Sequence, residues 1–283
     1  MDSTSFVTVA IPFFYSERYL EKAICSVLNQ TYTNFELILI NDGGLDGSIE
    51  IANKYAKLDS RIRVIDDGYN KGLAARINET VKLAKGDFYV RMDDDDIMAR
   101  NRISEQISYL HNHPEVDLVG SSAMVIDGND NITLSIDMSD CTTSFLHPTV
   151  TGRTKWFLSN PYNEHFKRAQ DAELWLRTAE KSVFRNLTCP LLFYRETRNT
   201  SLKKSLISHK ILRDMYKDYQ RYGKSYMWYV KKLLFSYIKD LMCIVTSVFM
   251  DSNSLRNMMR KRLPKELELT NHDIEMAVNK LAV

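Results

Sequence analysis

Short apolar runs alternate with helically spaced apolar positions over the first hundred residues. Phe6 to Ile11 reads as a buried strand. Tyr19, Leu20, Ala23, Ile24, Val27 and Leu28 then recur at the spacing of an amphipathic helix, which Ser16 is placed to cap. Phe35 to Ile40 is a second strand, apolar on both faces. Asp46 caps a helix carrying Ile49, Ile51, Ala52, Tyr55 and Leu58, and Arg61 to Ile65 is a third strand. A helix over Leu73 to Ala84 and a strand over Phe88 to Met92 complete the series. This alternation predicts an α/β fold with parallel strands covered by helices on both faces.

In such sheets ligands gather at the carboxyl ends of the strands. Those ends are followed here by Pro12 to Glu17, Asn41-Asp42-Gly43-Gly44, Asp66-Asp67-Gly68 and Asp93-Asp94-Asp95-Asp96, an edge rich in carboxylates and glycines. The second part is more mixed. Asn101 to His111 is helical, Val116 to Ile126 and Ile132 to Ile136 are strands about a turn, Ala169 to Glu180 is an amphipathic helix, and Leu191 to Arg195 is a last strand. Beyond Asn199 the pattern is helical and basic.

At 283 residues the chain can bury a substantial core. Its net charge of +2 is unevenly spread: residues 195–265 hold 17 Lys/Arg against 5 Asp/Glu. Such a basic segment suits an anionic surface or ligand, or forms a solvated helical face. Four cysteines without CxxC spacing read as buried thiols in a reducing compartment, and no signal peptide is evident. The sequons at Asn78, Asn131, Asn186 and Asn199 are then chance matches.

Four adjacent carboxylates repel one another, so folding them together favours a hard divalent cation, Mn2+ or Mg2+, over an open acidic loop. Asp42 beside a glycine pair could accept a hydrogen bond from a base or ribose, although the same segment would serve as a plain strand-to-helix turn. No Gly-Lys-Ser/Thr follows, and no GxGxxG is present, which disfavours a P-loop enzyme and a dinucleotide dehydrogenase. Asp171 opens a helix at its positive end, a place that keeps a carboxylate ionised and suits a general base or simple charge complementarity. His147 is a weaker candidate.

Several ordered segments together resemble glycosyltransferase family 2, the inverting group with the GT-A fold. They are Val7 to Pro12, Leu28-Asn29-Gln30-Thr31-Tyr32, Asn41-Asp42-Gly43, Gly72 to Asn78, Met92 to Ile97, His147-Pro148-Thr149 and Gln170 to Leu176. The resemblance runs from about Ser5 to about Asn199. It implies a mostly parallel nucleotide-binding sheet flanked by helices. Pro12, Glu17, Asp42, Arg76, Asp93 and Asp94 would meet the donor nucleotide, and Asp95 with Asp93 the metal. Asp171 would be the catalytic base, with His147 and Gln170 on the acceptor side. Asp94 stands where the family has alanine, Gln170 where it has glutamate and Gly44 where it has serine, so ligation could shift by one residue.

The expected division is a catalytic domain over 1–200, with a donor half to 97 and an acceptor half from 98, then a helical basic region over 201–283. Its apolar stretch from Tyr226 to Met250 is interrupted by Lys231, Lys232, Lys239 and Asp240. The longest uncharged run, Leu241 to Met250, is short of the roughly 20 residues that span a bilayer. It reads as an in-plane anchor or as a helix packed on the domain. With a lipid-diphosphate acceptor, the expected setting is the cytoplasmic face of the inner membrane, in surface polysaccharide (O-antigen) synthesis. The expected donor is a UDP-sugar, glucose or galactose, and no nucleic-acid partner is expected. A sugar-1-phosphate nucleotidyltransferase would show a glycine-rich basic loop where this chain has Phe13-Phe14-Tyr15-Ser16-Glu17, and a silent binding subunit would not need Asp93, Asp95 and Asp171 together.

Overall fold

A computed structural model of the chain describes residues 5–196, 202–246 and 260–279. The first part runs β1 (Val7–Phe13), α1 (Leu20–Leu28), β2 (Phe35–Asn41), α2 (Ser48–Leu58), β3 (Ile62–Ile65), α3 (Leu73–Leu83) and β4 (Phe88–Arg91). These four strands are parallel in the order β3-β2-β1-β4, with Val9 opposite both Leu37 and Val90. The continuous apolar runs follow from cover on both faces. Val7, Val9, Ile11 and Phe13 of β1 point into a core shared with α1, and Ala10 points into a second core with Ala74 and Ile77 of α3.

After β4 the sheet becomes mixed. The chain adds β5 (Ile97–Met98), α4 (Arg102–Asn112), β6 (Leu118–Ile126), β7 (Ile132–Ile136), β8 (Thr151–Arg153), α5 (Thr154–Ser159), α6 (Gln170–Thr178) and β9 (Phe184–Arg195). β8 lies antiparallel between β4 and β6, β9 runs parallel to β6, and β5 and β7 pair antiparallel at β9 and β6. The expected mostly parallel sheet therefore describes the first four strands; the remainder is mixed. β9 also begins at Phe184, well before the expected Leu191, because its polar first half pairs with buried β6. α4 covers the same face as α1, while α5 and α6 cover the α3 face.

Two capping expectations are corrected. Ser16 does not cap α1 with its side chain; its carbonyl accepts the Tyr19 and Leu20 amides (both 2.9 Å), and its hydroxyl turns to Asp94. Asp46 precedes Gly47, which flanks α2, and accepts the Ser48 amide at 3.4 Å and the Glu17 amide at 3.0 Å. Of the four thiols only Cys25 is buried; the other three are half-exposed.

Further on, α7 (Leu202–Lys217) packs on α8 (Tyr226–Thr246), and α9 (Asn271–Val278) closes the described chain. Residues 260–279 return to the first part of the molecule. Leu263, Ile274 and Ala277 join a core with Ile97, Met124 and Phe193, and Asn29 donates to the Ala277 carbonyl at 2.9 Å. Among the described residues no helix is long and apolar enough to cross a membrane. Asn199 and the end of the Leu241 to Met250 run lie outside the described residues.

Candidate active site

The carboxyl ends of β1, β2 and β4 form one edge. At the β2 end, Asp42 is buried and organises the loop before α3. Its carboxylate accepts the Lys71 amide (2.8 Å), the Gly72 amide (3.1 Å) and Arg76 Nε (3.0 Å). Most of these bonds fall on Oδ1, so Oδ2, which shares only the Gly72 amide, keeps capacity for another donor. Gly43 has φ +76, and a Cβ there would lie 2.8 Å from Asn70 N. Only glycine lets the two loops approach this closely.

Arg76 is fully buried, and its five N–H groups are all engaged, by Asp42, Asp67 (twice), Glu79 and the Tyr69 carbonyl. It braces the loop, with each N–H engaged by the protein itself. Glu17 is exposed, and one of its oxygens accepts the Gly47 amide at 3.3 Å at the start of α2. Pro12 is buried within β1.

The acidic run makes the turn between β4 and β5, and its four side chains part. Asp93 pairs with buried Arg91 (Nη1 to Oδ2, 3.0 Å). Asp94 leaves the cluster, accepting the Phe14 amide at 3.0 Å and the Ser16 hydroxyl, and so ties the β1–α1 loop to the turn. Asp95 has no side-chain partner among the described residues. Asp96 is fully buried; its Oδ1 accepts the Arg195 amide at 2.8 Å, while its Oδ2 has no partner. Ligand atoms of Asp93, Asp95 and Asp96 lie within 4.8 Å of one another. Burial, with Asp93 adding, pushes the Asp94 carboxyl up to about 6. Burial and the charges of Asp93 and Asp94 push Asp95 up to about 7, and burial raises Asp96 well above the usual carboxylate range. Three converging hard oxygen donors, one of them orphaned, fit a divalent cation such as Mg2+ or Mn2+.

Three buried arginines lie beneath this turn. Arg91 holds Asp93, and Arg102 donates to the Arg91 carbonyl at 2.9 Å; burial and the charge of Arg91 lower Arg102 to about 9. Arg195, at the end of β9, is the main strut. Its Nε donates to the Asp95 carbonyl (2.6 Å), Nη1 to the Asp127 carbonyl (2.7 Å), and its guanidinium stacks 4.3 Å from the Tyr19 ring centre. Sequence reasoning missed these arginines: Arg91 and Arg102 sit in an ordinary strand and helix, and nothing in local spacing marks the contacts of Arg195, made across about a hundred residues.

On the acceptor side, His147 starts a single helical turn, and its Nε2 is 2.8 Å from the Tyr162 hydroxyl. Burial and then the Arg91 charge lower His147 well below 6.5, so the ring is neutral. Tyr162 is raised above the ordinary phenol range, first by burial, with the charges of Asp171 and Asp93 contributing. Asp171 occupies the first turn of α6, half-exposed and without a carboxylate partner among the described residues; Ala169, before it, has φ +57. Gln170 is buried beside it.

The family model described as glycosyl transferase family 2 matches residues 8–185. EpsE of Bacillus subtilis (strain 168), assigned as a glycosyltransferase, is 33% identical across 72% of this chain and 78% of its own. The Escherichia coli UDP-Glc:alpha-D-GlcNAc-diphosphoundecaprenol beta-1,3-glucosyltransferase WfgD is 28% identical across 65% of this chain and 73% of its own. The mannosyltransferase PcManGT from Pyrobaculum calidifontis, solved with GDP-Man and Mn2+, superposes with a TM-score of 0.62 at 14% identity, covering 91% of this chain and 80% of that one.

Proposed function

The chain belongs to glycosyl transferase family 2 and has the GT-A fold, and from that premise we propose that it is an inverting, metal-dependent hexosyltransferase. The donor is a UDP-sugar, glucose or galactose. The acceptor is a hydroxyl of a sugar acceptor, a GlcNAc-diphosphate-lipid, in surface polysaccharide (O-antigen) assembly at the cytoplasmic face of the inner membrane. The likeness to WfgD supports the donor nucleotide and the lipid-linked acceptor. The observation that carries the metal-dependent reading is the convergence of Asp93, Asp95 and Asp96 with the orphaned Asp96 Oδ2.

Asp93, Asp95 and Asp96 would hold the divalent cation, which when bound supplies positive charge to the leaving diphosphate. Asp42 accepts a donor N–H through Oδ2, the oxygen its own loop leaves least used. Asp94 fixes the β1–α1 loop beside it. Asp171 takes the proton from the attacking acceptor hydroxyl, helped by its place at the positive end of α6. The new bond forms at the anomeric carbon as the bond to the diphosphate oxygen breaks, and that oxygen keeps the electron pair. Attack from the opposite face turns an α-linked donor into a β-glycoside. His147, neutral and held on Tyr162, shapes the acceptor side without carrying charge.

The test is UDP release from UDP-glucose, UDP-galactose and UDP-GlcNAc with a GlcNAc-diphosphate-lipid acceptor, with Mn2+ and with EDTA. Turnover with one donor, lost in EDTA and in Asp171→Asn, is expected; no turnover with any UDP-sugar would contradict the reading.

A further inference from the structure

α8 is held to the protein by one face alone. Ser236 and Asp240 face α7, where Arg213 Nη1 donates to the Ser236 hydroxyl (3.0 Å) and His209 Nδ1 lies 2.7 Å from Asp240 Oδ1. The opposite face carries Met227, Leu234, Ile238, Leu241 and Val245, each between 51 and 62% exposed. At 100° per residue these five fall within about 60° of one another, a straight stripe about 27 Å long. Phe235, also exposed, widens it.

The charges of the helix are just as one-sided. Asp240 is the one acid of α8, and α7 takes it up. Lys231, Lys232 and Lys239 flank the stripe with no carboxylate partner among the described residues; Lys232 and Lys239 lie over the rings of Trp228 and Phe235 at 5.7 and 4.7 Å. Residues 202–246 carry ten Lys/Arg against three Asp. An apolar stripe with cations along one flank, on a helix unable to cross a bilayer, matches the headgroup region of an anionic membrane.

We propose that α8 is a bilayer-docking helix, lying in the plane of an anionic membrane with its Met227-to-Val245 stripe inserted and Lys231, Lys232 and Lys239 at the headgroups. A second copy fits the same face poorly. The stripe offers on the order of 300 Å2, against roughly 800 Å2 per partner in a stable dimer. A twofold contact would also bring unpaired lysines together.

The placement connects to the acceptor side. The turn between α7 and α8 is anchored where α6 ends: Tyr222 is buried there and Lys224 pairs with Glu180. α6 presents Asp171 at its other end. The docked helix thus hangs from the element that carries the proposed base. This deepens the proposed function and rests on it for the acceptor's lipid. The vesicle assay below uses neither donor nor acceptor, so its failure leaves the transfer reaction untouched.

The test is flotation of the full chain with vesicles of phosphatidylcholine alone or mixed with phosphatidylglycerol. Binding to the mixed vesicles is expected. It should fall at least on the order of tenfold in the Leu234→Glu, Ile238→Glu, Leu241→Glu triple variant, and by a similar factor in Lys231→Glu, Lys232→Glu, Lys239→Glu. Wild-type protein supplies a check that needs no variant. Brominated lipid should quench Trp228, half-exposed on α8, and spare buried Trp156 and Trp175. Absence of vesicle binding at low salt would overturn the proposal. So would self-association in vesicle-free solution that the triple glutamate variant abolishes, since a second copy would then occupy the stripe.

Discussion

Replacing Asp95 by asparagine is expected to stabilise the metal-free protein while removing its response to Mn2+. Burial, then the charges of Asp93 and Asp94, hold the Asp95 carboxyl at about 7. In the unfolded chain the same group titrates near about 3.9. A carboxyl that binds its proton more tightly when folded favours folding below the unfolded-state pKa, and that advantage is lost as pH rises through about 7. Keeping Asp95 ionised in the folded protein at about pH 8 therefore costs up to about 4 kcal/mol, at about 1.4 kcal/mol per pH unit. Part of this is repulsion shared with its neighbours, and a buried amide is itself desolvated, so about 2 kcal/mol is the expected gain. In a chain of this size that raises the melting temperature by about 4–8 °C. The assay is thermal unfolding of both proteins in EDTA and in Mn2+, from about pH 5 to about pH 8. The gap in EDTA should open as pH rises, and Mn2+ should stabilise wild type far more than the variant. An Asp95→Asn protein that melts no higher than wild type in EDTA, with an equal Mn2+ shift, would refute the reasoning.

Three further outcomes are expected. Asp171→Asn should lower kcat by about 10²–10⁴ while leaving UDP affinity by calorimetry unchanged, as removal of a general base requires. Arg195→Met removes the donors to the Asp95 and Asp127 carbonyls and the ion pair with Asp130; it should cost about 3–5 kcal/mol in urea unfolding and weaken Mn2+ binding. Gly43→Ala forces a Cβ to within 2.9 Å of Tyr69 C at a positive φ, and should cost about 1–3 kcal/mol with a matching loss of UDP affinity.

The four parallel strands were legible because helices cover both faces and so leave unbroken apolar runs such as Phe35 to Ile40. β5, β8 and α5 span two, three and six residues, too few for any periodicity to register. β9 was half hidden because its first residues are polar and owe their strand geometry to pairing with β6. The carboxylates of the candidate site were visible as residue types at strand ends, but their directions were not. Asp94 turns to Phe14 and Ser16 while its neighbours converge, a consequence of the β4–β5 turn. The family resemblance marked Arg76 as a residue on the nucleotide side, while only the fold shows that Asp42, Asp67, Glu79 and Tyr69 take up its donors.

The central claim, that the β4–β5 turn holds a divalent ion for a nucleoside diphosphate, is tested most directly by calorimetric titration of UDP into the protein with Mn2+ and with EDTA. Binding is expected in Mn2+, little or none in EDTA, and none in Asp95→Asn under either condition. UDP binding of equal strength with and without metal, retained in Asp95→Asn, would contradict it.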